Sequence, residues 1–185
     1  MGLWRDWRDA RELARRARAY VDVVLEEPSS RDVQWLAEQS THGDRARMAR
    51  ELRYAHRAVG LIAAQRDALD DKTASAVAHA LSAAMPLVPP VRAAERRDVT
   101  REWQSRMRLY GEALAQRGGD GRPMPRLARV LLEVAGATVA PPTLDHATAI
   151  LDARRVVANE ALRKVFGDAA LPDDRPPSAV RARVG

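Results

Sequence analysis

Along residues 44–71 the apolar positions fall at Met48, Leu52, Ala55, Val59, Ile62 and Leu69, spaced 4, 3, 4, 3 and 7. That is the period of one helix face, with Arg66 at the one empty point of the series. The segment has no proline and a single glycine. It therefore predicts one helix ~40 Å long at 1.5 Å per residue, the central strut of a helical domain. Arg45, Arg47, Arg50, Arg53 and Arg57 occupy its other side, which is expected to face outward.

Punctuation by proline, glycine and capping residues predicts six further helices. The first covers 3–25, with Trp7, Leu13, Ala14, Ala17, Val21 and Val24 inward and Arg8, Asp9, Arg11, Glu12, Arg15 and Arg16 in water; Pro28 keeps it from continuing. The second covers 31–39, capped by Ser30, and buries Val33 with Trp35 or Leu36. Asp44 caps the long third helix, and Asp71 or Thr73 caps a fourth over 74–85. A fifth begins near Pro90 or after Thr100 and carries Val99, Trp103, Met107, Tyr110 and Leu114; Gly111 suggests a close helix contact there. A sixth has Pro125 in its first turn and reaches about Ala135. The seventh covers 144–166, capped by Thr143 after the break at Pro141-Pro142, and ends at Gly167.

No segment alternates apolar and polar residues with β-branched enrichment. The expected fold class is all-α: an irregular antiparallel bundle of six or seven helices centred on the third, fifth and seventh, with no sheet. Residues 1–167 read as one helical domain, and 168–185, with three prolines and few large apolar residues, as a flexible tail.

Composition sharpens this picture. Of 185 residues 46% are apolar but only 4% aromatic, so the core is built from closely spaced helices rather than large rings. There is no cysteine, which excludes disulfides, thiolate metal sites and a cysteine nucleophile. No apolar run reaches the ~18 residues that span a bilayer, and Arg and Asp interrupt the start where a signal peptide needs an apolar stretch. The expected location is the cytoplasm. Arginine supplies all but Lys72 and Lys164 of the 31 basic residues behind a net charge of +6. This arginine and alanine bias is also that of a GC-rich bacterial genome.

Motifs that carry chemistry are missing at their expected spacings. The residues three before His56, His79 and His146 are Arg53, Ala76 and Thr143, where a helical metal site needs a carboxylate. Asp67, Asp70 and Asp71 cluster where the long helix stops, a place explained by ending one helix and capping the next. Gly118-Gly119-Asp120-Gly121 lacks the lysine and hydroxyl of a phosphate loop. Asp145 and His146 are neighbours that point apart on a helix. A helix-turn-helix over 33–52 would have a second helix far longer than recognition needs. No catalytic residue, metal ligand or cofactor is therefore assigned.

The leading expectation is a non-catalytic interaction or assembly protein, a subunit of a larger complex or a homo-oligomer. Its candidate anchors are Trp4, Trp7 and Trp35. The first alternative is a nucleic-acid-binding subunit using Arg47, Arg50 and Arg53 with Arg97 and Arg101. The second is a small-molecule pocket or enzyme using His56, Tyr54 or Tyr110. Membrane binding through the first helix is disfavoured by its balance of Arg and Asp/Glu.

Overall fold

The computed structural model describes residues 3–41, 43–67, 71–85, 92–115 and 123–167, with the backbone alone at 3–5, 66, 67 and 115. Seven helices are formed among these residues: α1 (Leu3–Val24), α2 (Ser30–Gln39), α3 (Arg45–Asp67), α4 (Asp71–Ala84), α5 (Arg96–Ala115), α6 (Pro123–Ala135) and α7 (Pro141–Phe166). The fold is all-α; the described residues hold no strand, only an isolated antiparallel bridge between Ser40 and Ala137. The span 168–185, expected to be a flexible tail, lies outside the described residues.

Several ends follow the expected capping chemistry. Asp44 Oδ1 accepts from Ala46 N at 2.9 Å and from Arg47 N at 3.2 Å, satisfying first-turn amides of α3. At the close of α6, Gly136 takes φ +67° and Ala137 N donates to Leu132 O at 2.9 Å, the left-handed stop that favours glycine. Three expected caps are corrected. Asp71 and Thr73 lie inside α4 rather than before it. Ser29, not Ser30, caps α2, its hydroxyl accepting from Asp32 N at 3.1 Å. Pro141 and Pro142 do not break the chain before α7 but form its first turn, where a missing amide hydrogen costs nothing; Ala140 precedes them and Thr143 lies inside the helix.

The core has two buried clusters. One gathers Val33 and Leu36 of α2, Met48 and Leu52 of α3, Leu127 and Leu131 of α6 and Leu151 of α7. The other gathers Tyr20 and Val24 of α1, Ala63 and Ala64 of α3, Leu81 of α4, Trp103 of α5 and Leu162 of α7. α3 belongs to both and touches every other helix. Its expected apolar face is buried at Met48, Leu52, Ala55, Val59 and Ile62. Its outward face is not there beyond the first two turns: Glu51, Tyr54, His56 and Arg57 are buried as well, Arg57 at 3% exposure. A helix with six neighbours keeps little solvent side; among the described residues Gln65 is the next exposed position after Arg50. Two further expectations change. Trp7 is 54% exposed instead of packed inward, and α5 rests on α3 and α6 at the flank rather than in the centre.

The close contact sits at Gly60, not Gly111. A Cβ added at Gly60 would meet both methyls of Val24 at 2.7 Å, whereas one at Gly111 would meet nothing within 4 Å. Tyr20 OH crosses the same contact and donates to Gly60 O at 2.7 Å. Gly60→Val should therefore destabilise the fold by about 2–3 kcal/mol through overpacking. Gly111→Ala should stabilise it by up to about 1 kcal/mol through helix propensity. Urea unfolding of both variants checks this, and small shifts of the same sign would contradict it.

Candidate functional site

Polar side chains buried in an apolar core are where chemistry is sought first, and α3 supplies them in two groups. The first lies between α3 and α5. Glu51 takes a two-pronged hydrogen bond from Arg106, Nε to Oε2 at 2.7 Å and Nη2 to Oε1 at 2.6 Å. Glu102 Oε2 accepts from Tyr54 OH at 3.0 Å, and Glu102 Oε1 lies 3.4 Å from Arg50 Nε and 3.9 Å from Arg106 Nη2. The hydrogen bond to Glu51 raises the Arg106 pKa further. Burial, then the nearby Glu102 carboxylate, pushes the Tyr54 phenol upward, and burial does the same to Tyr110. The Tyr110 hydroxyl has no hydrogen-bond partner among the described residues. The oxygens of both carboxylates are thus engaged by guanidinium or hydroxyl groups. This arrangement ties two helices together and leaves no oxygen poised as a base.

The second group lies where α1 ends against α3 and α7. Arg154 Nη2 donates to Val23 O and its Nη1 lies 3.5 Å from Glu26 Oε2. Arg53 Nε donates to Glu27 Oε2 at 2.6 Å. Arg154 thus meets one of the last carbonyls of α1, where the helix dipole favours a cation. Buried His56 has neither ring nitrogen hydrogen-bonded among the described residues. Burial, then Arg154 and Arg57, lowers its pKa from 6.5 to about 3. Arg57 is itself lowered to about 10, chiefly by burial, and its Nη1 donates to Met85 Sδ at 3.3 Å. His56, Tyr54 and Tyr110, which the sequence marks for a small-molecule site, are thus all buried, and they divide between the two groups.

The arginines marked for nucleic acid are not brought together. Arg47 Nη2 donates to Val134 O at 3.2 Å and helps close the end of α6, while Arg50 and Arg53 hold Glu102 and Glu27. Arg97 and Arg101 are exposed on α5. With Arg96, Thr100 and Gln104 they line an open hollow of about 360 Å³. Arg101 Nη1 lies 3.2 Å from Asp98 Oδ1.

The tryptophans also separate. The side chain of Trp4 lies outside the described residues. Trp35 is half-buried and its ring sits 4.3 Å from that of His146. Trp7 stands out in solvent with the Arg11 guanidinium 5.3 Å from its ring centre. The described residues hold no group of three or more His, Cys, Asp or Glu able to grip a metal, and none of their helices is long and apolar enough to cross a membrane.

The outer side of α7, where Val156 and Val157 are 49% and 38% exposed, is not among the surfaces expected from the sequence. The available signal was their phase: neither falls on the series Leu144, Ala147, Leu151, Ala158, Leu162 that turns inward. Comparison with known proteins gives no match to a family model, to a curated protein or to a solved structure.

His56 makes the fold sensitive to acid. Its pKa is lower in the folded chain than the ordinary 6.5 of the unfolded one, so the unfolded chain binds the extra proton and stability falls as pH drops below about 6.5. From pH 7.5 to pH 5 this one group should remove about 2 kcal/mol. Urea unfolding across that range should show the loss in the parent chain and a much flatter profile in His56→Leu. Parallel profiles would contradict the assignment.

Proposed function

We propose that the chain is a non-catalytic helical interaction protein that engages a protein partner through the start of α1. The carrying observation is that residues 6–11 are exposed without a break. Six consecutive helical residues cover the whole circumference at 3.6 per turn, so every side of these turns of α1 is open to solvent. Trp7, with its Arg11 neighbour, is the kind of side chain that anchors an interface. The reading includes a cytoplasmic, bacterial setting, supported by the arginine-over-lysine bias.

Removing the first 27 residues would not test this, because Ala17, Tyr20, Val21 and Val24 are core. A photo-crosslinking amino acid in place of Trp7 is the appropriate probe, in the cells that make the protein. A discrete heavier adduct is expected at position 7 and none at exposed Ala83 of α4. No adduct at position 7, or the same adducts at both positions, would remove the proposal's support.

A second reading, nucleic-acid binding, draws on the hollow formed by Arg96, Arg97 and Arg101. Three guanidinium groups around an open concavity suit a phosphate backbone. It predicts a salt-dependent mobility shift of RNA or DNA that Arg97→Ala with Arg101→Ala abolishes and Arg47→Ala leaves intact.

A further inference from the structure

The outer side of α7 presents Ala149, Ala153, Val156 and Val157 to solvent, the two valines as the largest exposed aliphatic side chains among the described residues. On a helical projection, Ala149, Ala153 and Val156 point within a narrow arc opposite buried Leu151 and Ala158. Charges bracket this patch with a polarity. Asp145 stands exposed at the N-terminal end; Arg163 and Lys164 stand exposed at the C-terminal end with Glu160 one turn before them, which leaves that end net positive. Among the described residues Asp145, Arg163 and Lys164 form no ion pair, whereas Asp152 and Arg155 between them pair with each other at 3.2 Å.

A patch with acid at one end and base at the other is complementary to itself when turned end for end. A twofold axis crossing α7 near residue 154 sets Ala153 of one copy against the partner's Val156. It also places Asp145 opposite the partner's Arg163, and the symmetry repeats both contacts. Antiparallel alignment opposes the two helix dipoles favourably. Alanines at 149 and 153 let the helix axes approach toward the lower end of the usual 8–10 Å. We propose that this face of α7 is where a second copy of the chain docks, antiparallel, to form a twofold dimer. The contact uses residues distinct from Trp7, so this proposal and the α1 reading stand or fall separately. The 145–164 stripe is ~30 Å long and one helix wide, which puts the interface at the small end of specific contacts. The dimer is therefore weak and in rapid exchange.

Sedimentation velocity of the full chain over a wide concentration range tests it. Reversible dimerisation in the micromolar-to-millimolar range is expected, weakening with salt. Val156→Glu should abolish it, with an unchanged thermal melt showing that the bundle is intact. Asp145→Arg should weaken association about tenfold or more by setting cation against cation. Asp145→Arg combined with Arg163→Asp should restore it. A chain that stays monomeric at the highest concentration would overturn the proposal. So would a dimer indifferent to Val156→Glu, or a charge-swapped double variant no better than Asp145→Arg alone. Loss of the position 7 adduct in Val156→Glu, with dimerisation otherwise as expected, would still support the dimer and would overturn the independence of the two surfaces.

Discussion

Glu51 lies at 1% exposure on a helix that every other helix touches, and a carboxylate there must be matched or the helix cannot be enclosed. Arg106 matches it with two hydrogen bonds from α5. The consequences run outward from that pair. Because α5 is held to α3 at this point, Glu102 lies within reach of Tyr54 and Arg50, and Trp103 packs 6.1 Å from the Tyr54 ring. With α3 enclosed, Gly60 can meet Val24 at a distance that no side chain would permit, which seats α1 and completes the second core cluster.

The same constraint explains where the arginines go. In a chain with few aromatics, helices must be tied at their ends and crossings by something other than ring packing. Arginine does this by reaching from one helix to the carbonyls or carboxylates of another. Arg47 closes α6, Arg154 closes α1, Arg53 holds Glu27, and Arg106 holds Glu51. Each is a cation that a count of charge would assign to a phosphate-binding face. Among the described residues, the exposed features that stand apart are a short basic stretch on α5, a tryptophan on α1 and two valines on α7.

Much of the architecture is legible in the pattern of residues because helix periods, prolines and caps are local. The series Met48 to Ile62 and the Asp44 cap stand where the sequence places them. Cap assignments slipped at Ser29 and Pro141, since adjacent serines, or a proline pair and a threonine, offer equivalent local solutions and tertiary packing selects between them. The site was less legible. A residue such as Arg57 reads as solvent-facing until six neighbouring helices are in place, and no local rule reveals that Arg106, 55 residues away, pairs with Glu51. Trp7 read as core because it continues the phase of Ala17 and Val21, but every side of α1 is exposed over residues 6–11. The α7 valines carried their signal in being out of phase, visible only once the inward series is known.

A double-mutant cycle across Glu51→Gln and Arg106→Met, followed by urea unfolding, tests the central claim that a buried ion pair holds the enclosed helix. Each single change should cost about 3–5 kcal/mol by leaving the other group buried without its partner. The double variant should cost little more than either, a coupling of at least about 2 kcal/mol. Additive losses, with a coupling below about 0.5 kcal/mol, would show that α3 is held by its apolar contacts alone and would contradict the account.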